Sequence, residues 1–159
     1  MLQFKKILCP TDFSEPSWEA LSVAGALAKI LTAELIVLHV VDPLPVPDVP
    51  TKWIGPAGFE TGTYMEMLNR VAKETLHQHV TERLPKAPHV REDVDPGTPA
   101  QKIIDVAARE HVDLIVIATH GRTGLRHLLL GSVAERVIHL SSCPVLAIPW
   151  RALHESAET

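Results

Sequence analysis

The 159-residue chain has the length of one ordinary domain, and its 46% hydrophobic and 21% charged residues exclude a disordered or fibrous protein. A net charge of -4 and a pI of about 6.1 leave no basic surface for a nucleic-acid backbone, so we expect no nucleic-acid partner. The N-terminal residues carry no apolar signal sequence, and the apolar stretches are too short to span a bilayer. These features predict a cytoplasmic protein without membrane insertion.

Short β-rich runs alternate with longer amphipathic segments, which is typical of a parallel sheet covered by helices. The run from Phe4 to Cys9 is apolar nearly throughout and predicts a strand buried on both faces. A helix follows it, with Ser14 as the expected N-cap and Pro16 in the first turn. A second buried strand is predicted from Glu34 to Val41.

Residues 42–63 contain five prolines and three glycines, a composition that disfavours both helix and sheet. We expect a long loop here. It starts at the carboxyl end of a strand, so it is either a lid over a ligand or a plain connector, and the sequence leaves both open.

The second half of the chain continues the alternation. Predicted elements are a helix Tyr64–Leu84, a weak edge strand His89–Val94, a helix from Thr98 to Glu110, a strand Asp113–Ala118, a helix Ser132–Leu140 and a last strand Pro144–Ile148. The expected fold class is α/β: a Rossmann-like open, mostly parallel five-stranded sheet with helices on both faces. It forms one domain over residues 1–150, followed by a polar tail at 151–159.

Ligands of such sheets bind beyond the carboxyl ends of the strands, where the strand order reverses. Three segments end predicted strands: Pro10–Asp12, Val40–Asp42 and Ala118–Ser132. The third reads ATHGRTGLRHLLLGS, in which Gly131 and Ser132 open a helix. Main-chain N–H groups at glycines and at a helix N-terminus bind anions, so we predict a phosphate site there.

Two alternatives stay open for that loop. Gly121 and Gly124 could merely turn the chain while Gly131 relieves crowding at the helix start. Arg122 could pair with phosphate oxygens, or it could simply be solvated.

Other signatures are absent from the sequence. It has no GxxxxGK[ST], no GxGxxG after the first strand, no HExxH and no G-x-S-x-G. These absences disfavour a P-loop NTPase, a dinucleotide oxidoreductase, a zinc protease and a serine hydrolase. Cys9 and Cys143 have no metal-ligand spacing and are interpreted as reduced core thiols.

Five segments in order, KKILCPTDFSE, LIVLHVVDP, DLIVIATHGRTG, LLLGSVAERV and CPVLAIP, resemble the universal stress protein family over nearly the whole chain. ATP-binding members of that family look like G-x-x-G-x9-G-[ST]. The matching positions here are Ala118, Gly121, Gly131 and Ser132, so only Ala118 departs from the pattern. The resemblance therefore implies the ATP-binding subgroup, with ATP as the ligand and any Mg²⁺ or Mn²⁺ carried by its phosphates.

The resemblance also assigns roles to individual residues. Pro10, Thr11 and Asp12 would lie against the adenine and ribose, and the main chain of Val40 would bond the adenine edge. The phosphates would be surrounded by Gly121, Arg122, Gly131, Ser132 and Val133, beside Ala118. For Asp12, capping the following helix is the alternative role. The family is also similar in forming a homodimer through its last strand, here Pro144–Ile148.

The resulting hypothesis is a non-catalytic, adenine-nucleotide-binding regulatory protein of the stress response. One alternative is an enzyme on the same fold that hydrolyses ATP slowly; adenylyl transfer has less support, because relatives with that activity look like they need SGGxDS or HxGH motifs, which are absent. The other alternative is a ligand-free dimerisation module that regulates a partner protein.

Overall fold

A computed structural model describes residues 3–42, 64–85, 89–120 and 130–150. Five strands and four helices alternate along this part of the chain. They are β1 (Lys6–Thr11), α1 (Glu15–Leu31), β2 (Glu34–Val41), α2 (Tyr64–Arg83), β3 (Val90–Pro96), α3 (Pro99–Arg109), β4 (Leu114–Ala118), α4 (Ser132–Leu140) and β5 (Val145–Ile148).

The strands form one sheet in the order β3-β2-β1-β4-β5, and every neighbouring pair is parallel. The order runs outward from β1 to β3 on one side and then reverses, so that β4 lies on the other side of β1. This confirms the α/β Rossmann-like prediction, including the edge position of the polar third strand. The switch point lies between the carboxyl ends of β1 and β4.

Helices cover both faces of the sheet because the strands are apolar on both sides. In β1, Ile7 and Cys9 pack with α1 and α2 in one core, while Leu8 packs with α3 and α4 in the other. All three side chains are fully buried. Trp18 of α1 is the largest buried side chain of the first core.

The start of α1 follows the sequence closely. Ser14 has the extended backbone of an N-cap, and its Oγ accepts a hydrogen bond from the N–H of Ser17. Pro16 lies in the first turn, where its missing N–H costs nothing. The helix therefore begins where these residues predict.

The bounds predicted for the first strand, Phe4 to Cys9, are wrong by two residues at each end. β1 continues through Pro10 to Thr11 and pairs with β2 up to the register Thr11↔His39. Proline is uncommon inside a central strand, because it cannot donate to a ladder.

The side to which Pro10 turns explains this. Alternate residues of a strand direct their main-chain groups to opposite neighbours, and the carbonyl of Lys6 accepts from the N–H of Asp113 on the β4 side. Pro10, four residues on, therefore turns its nitrogen toward β4 as well. The β1–β4 pairing ends at Leu8↔Ile115, whereas the β1–β2 pairing continues. Pro10 thus sits where β1 and β4 have separated, at the switch point.

The third strand is also longer than predicted, since β3 pairs with β2 as far as Val41↔Pro96. The other elements agree with the predicted bounds to within one or two residues. The predicted loop beyond Asp42 and the tail at 151–159 lie outside the described residues. Within the described ranges, no helix is both long enough and apolar enough to cross a membrane.

Candidate functional site at the carboxyl edge of the sheet

A cavity of about 630 Å³ opens at the switch point, within the size range of small-molecule sites. Its walls come from the ends of β1, β2 and β4, the start of α4 and parts of α2 and α3. Eight of the ten predicted site residues line it: Pro10, Thr11, Asp12, Val40, Ala118, Gly131, Ser132 and Val133. The other two, Gly121 and Arg122, lie outside the described residues.

The carboxylate of Asp12 is held at the mouth of β1. Its Oδ1 accepts from the N–H of Ser14, over 3.0 Å, and from the Oγ of Ser14. The alternative role predicted for Asp12, capping α1, belongs to Ser14 instead, and Asp12 orders the turn that leads into the helix. The same residue lines the cavity, so the two roles coexist.

Phe13, which sequence reasoning missed, occupies a left-handed backbone conformation with φ 66°. That conformation costs a bulky residue about 1–2 kcal/mol. Its ring stacks on His39, with ring centroids 3.9 Å apart and planes 16° apart, and lies 5.7 Å from the ring of Trp18. Aromatic pairs of this kind contribute about 0.5–1.5 kcal/mol each, which is enough to offset the backbone cost.

His39 is a buried polar residue of β2, and the sequence analysis treated it only as part of the strand. Its side chain is 7% exposed and lines the cavity, and its Nδ1 lies 2.8 Å from the carbonyl oxygen of Thr11. A carbonyl can only accept, so Nδ1 carries the proton of this hydrogen bond. His39 thereby ties the end of β2 to the end of β1.

The main chain of Val40 offers an acceptor to the cavity. The carbonyl of Val41 accepts from the N–H of Gly97 on the β3 side, so alternation turns the carbonyl of Val40 to the opposite, β1 side. The last residue of β1, Thr11, is paired with His39. The carbonyl of Val40 therefore lies beyond the end of β1, where the cavity begins.

The start of α4 provides main-chain donors. The first helical hydrogen bond joins the N–H of Glu135 to the carbonyl of Gly131, and no side chain caps the helix. The N–H groups of Ser132, Val133 and Ala134 precede that bond and face no intrahelical acceptor. All three residues line the cavity, so this end of the helix can bind an anion.

Gly131 has a packing role in addition to its place in the cavity wall. Its N–H donates to the carbonyl of Thr119 over 2.6 Å, so that donor is already used. Its φ of -73° is available to any residue. A Cβ at Gly131 would lie 3.1 Å from the same carbonyl oxygen, so the close approach of α4 to β4 is what favours glycine. This contact is the crowding that the alternative described, and the phosphate role of Gly131 stays a prediction.

The charge around the cavity is sparse. Among the described lining residues the ionisable side chains are Asp12, Asp42, His39 and His120, with no lysine or arginine. The Nδ1 of His120 lies 2.8 Å from the Oγ1 of Thr119. Within the described part, the groups that could hold an anionic ligand are the N–H groups at the start of α4.

Within the described ranges, no group of three or more His, Cys, Asp and Glu side chains is arranged to hold a metal ion.

Comparison with known proteins decides the family. The sequence model of the universal stress protein family matches residues 3–149. The chain belongs to the universal stress protein family. Universal stress protein MJ0531 of Methanocaldococcus jannaschii is 36% identical over 150 residues, covering 91% of this chain and 82% of that protein.

Solved structures of universal stress proteins share the architecture. The structure of MJ0577, from the same organism, superposes with a TM-score of 0.73 at 34% identity and covers 92% of this chain and 96% of that one. A universal stress protein in complex with cAMP has a TM-score of 0.67 at 22% identity, covering 92% and 98%. At that identity the second likeness shows the fold alone.

Ala118 is where this universal stress protein departs from the family's glycine pattern. The side chain is 8% exposed and belongs to the core that α1 and α2 cover, together with Val116 two residues earlier. The extra methyl group is therefore accommodated by the core packing of β4, while the residue still borders the cavity.

Most residues that sequence reasoning missed lie on the α1 and α2 side of the cavity. A long amphipathic helix such as α2 gives no signal of which turn reaches a cavity, and only His39, a histidine within an apolar strand, was detectable in principle. The lining residues outside the predicted segments and sites are Phe13, Ser17, His39, Leu68, Val71, Ala72, Thr75, Pro99, Ile103, Ile117 and Ala134.

Proposed function

We propose that this protein binds an adenine nucleotide, with ATP as the preferred ligand, and acts as a non-catalytic cytoplasmic regulator in the stress response. The observation that carries the proposal is that one cavity contains the Asp12 carboxylate, the strand end at Val40 and the uncapped start of α4. These groups match the ribose, base and phosphate of a nucleotide in turn.

The carbonyl of Val40 is the group that would bind the base. A main-chain acceptor at the cavity edge suits the 6-amino group of adenine, which donates, and disfavours guanine, whose O6 also accepts. The apolar neighbours Ile103 and Ile117 suit the flat faces of a purine.

The start of α4 is the part of the chain that would bind the phosphates. The N–H groups of Ser132 and Val133, together with the positive end of the helix dipole, favour negative charge at this point. Gly121 and Arg122 remain predicted phosphate ligands on sequence grounds. We further propose that Mg²⁺ or Mn²⁺, when present, is held mainly by the phosphates.

A homodimer through the last strand is part of the proposal. β5 is the outermost strand beside β4 and leaves one edge of main-chain groups unpaired within the described sheet. Leu146 of β5 is exposed, as are Ile138 and Leu140 of α4, the helix that contacts β5. A second copy of the chain, pairing its own β5 with this one, would cover the unpaired edge and these apolar side chains.

Calorimetric titration with ATP and GTP tests the proposed ligand. We expect ATP to bind at least about tenfold more tightly than GTP, because placing O6 against the Val40 carbonyl leaves two acceptors facing each other. Equal affinity for the two would contradict the assignment of the base to Val40. Absence of binding by any adenine nucleotide would favour the ligand-free dimerisation module.

A matched pair of variants at Ser132 tests the phosphate position. Ser132 is the first helical residue of α4, where proline is tolerated, and the extended backbone of Gly131 suits a residue before proline. Ser132→Pro removes one N–H and is expected to weaken ATP about 10- to 150-fold. Ser132→Ala keeps that N–H and removes only the hydroxyl, so it should weaken ATP less. Equal effects of the two variants would place the phosphates away from this N–H.

A further inference from the structure

Phe13 stands out among the described non-glycine residues with positive φ, which are Phe13, Thr32, His89 and His111. Thr32 and His111 follow the ends of α1 and α3, where left-handed residues commonly terminate helices. His89 precedes β3 at the opposite edge of the sheet. Helix termination does not explain Phe13, which lies before a helix and lines the cavity.

The ring of Phe13 is fixed from two sides. It stacks on His39, which is anchored to the carbonyl of Thr11, and packs beside Trp18. Trp18 is 2% exposed and is itself stacked on His79, with centroids 4.4 Å apart, under the guanidinium of Arg83. The ring is thus clamped between β2 and α1, and the clamp determines the backbone conformation at Phe13.

The turn at Phe13 sets the direction of Asp12. The N–H of Phe13 donates to the Oγ1 of Thr11 over 3.1 Å, and the carboxylate of Asp12 accepts from the N–H of Ser14. Asp12 therefore lies between the last strand residue and a turn that cannot rotate without breaking the Phe13–His39 stack.

We propose that Phe13 is the positioning residue for Asp12, and that its stack on His39 holds the carboxylate where it recognises the ribose hydroxyls of the nucleotide. This inference rests on the proposed function, and it adds that sugar discrimination depends on a side chain that need not touch the sugar. A ribonucleotide is the ligand class that this arrangement favours over a deoxyribonucleotide.

The readout is a ratio of dissociation constants, with 2′-deoxy-ATP and 3′-deoxy-ATP each compared with ATP by calorimetry. A hydrogen bond to a carboxylate predicts about 10- to 150-fold weaker binding of at least one deoxy analogue by the native protein. Phe13→Ala removes the ring and should reduce the ratio, the dissociation constant of the deoxy analogue divided by that of ATP, to about two or less. Phe13→Tyr keeps an aromatic ring in the stack and should restore most of the ratio.

Phe13→Gly separates positioning from folding, because glycine adopts a positive φ without strain. It should fold, as followed by thermal unfolding, and should still lose the ratio. An unchanged ratio in folded Phe13→Ala or Phe13→Gly would overturn the inference and leave the proposed function intact. So would a native protein that binds ATP and both deoxy analogues equally. Failure of the native protein to bind ATP at all would instead contradict the proposed function and this inference with it.

Discussion

The N–H of Gly131 donates to the carbonyl of Thr119 over 2.6 Å, and this hydrogen bond fastens the start of α4 to the end of β4. The contact is so close that a Cβ at Gly131 would lie 3.1 Å from that oxygen. The position of the α4 N–H groups in the cavity therefore depends on the absence of a side chain at this residue.

Gly131→Val is expected to abolish detectable ATP binding by displacing α4 from β4, and to destabilise the fold by about 1–3 kcal/mol through overpacking. Calorimetry and denaturant unfolding measure the two effects. Gly131→Ala adds only the Cβ, so both effects should be smaller and in the same direction. Native affinity in a folded Gly131→Val protein would place the phosphates away from α4.

ATP turnover should be far below the range of about 1–10³ per second that is usual for enzymes. The Asp12 carboxylate, the acidic group nearest the predicted ribose, is engaged by Ser14, so it is poorly placed to activate water. Release of phosphate from radiolabelled ATP measures the rate, with Ser132→Pro as a control for contaminating ATPases. A steady-state rate within the enzyme range that this variant abolishes would support the hydrolytic alternative.

A charged side chain at the outer strand should disrupt the proposed dimer. Leu146 of β5 is 38% exposed, so Leu146→Glu leaves the core intact while placing like charges opposite each other across a two-fold interface. We expect the native protein to have twice the chain mass by light scattering and the variant to be monomeric. Ile30→Glu, on the exposed end of α1, is the control and should not change the mass.

The two cysteines should differ sharply in reactivity. Both are free; burial raises the pKa of the Cys9 thiol to about 12, whereas Cys143 is half-buried in the connection between α4 and β5. The thiolate is the reactive species, so at pH 8 a thiol reagent should label Cys143 first and Cys9 only on unfolding. Mass spectrometry of Cys143→Ser before and after adding denaturant tests this. Rapid labelling of that variant in its native state would contradict the burial of Cys9.

Stability should depend on pH through Glu110. Its hydrogen bond with Arg91, over 2.9 Å, and a second with Arg109 hold the pKa of this carboxyl below its usual value. A lowered folded-state pKa stabilises the protein above the unfolded-state pKa of about 4.3, and the gain is lost as the pH falls through the folded-state value. Glu110→Gln should therefore lower the melting temperature at pH 7 and have little effect near pH 2.

The matched control for that comparison is Glu82→Gln, because Glu82 is an exposed carboxylate that accepts from the neutral amide of Gln78. The melting temperature of Glu82→Gln should equal that of the native protein at both pH values. If Glu110→Gln lowers the melting temperature equally at pH 2 and pH 7, the effect comes from lost packing and not from lost charge.

The sequence predicted the order and type of all nine elements because each depends on local information. Apolar runs such as that of β4 identify buried strands, and Ser14 with Pro16 marks a helix start. Chain direction also pointed to three segments at one edge of the sheet, since parallel strands bring their carboxyl ends together. The individual site residues, eight of which line the cavity, came from the family resemblance.

Only the tertiary structure decided how the individual groups at that edge are used. The side to which Pro10 turns its nitrogen depends on which strand lies on each side of β1, and that order is a property of the whole sheet. The Phe13–His39 stack joins residues 26 positions apart through side chains on different elements, and the Gly131–Thr119 contact depends on how closely α4 approaches β4. Periodicity reports which face of an element is buried, but these distances arise from packing between elements.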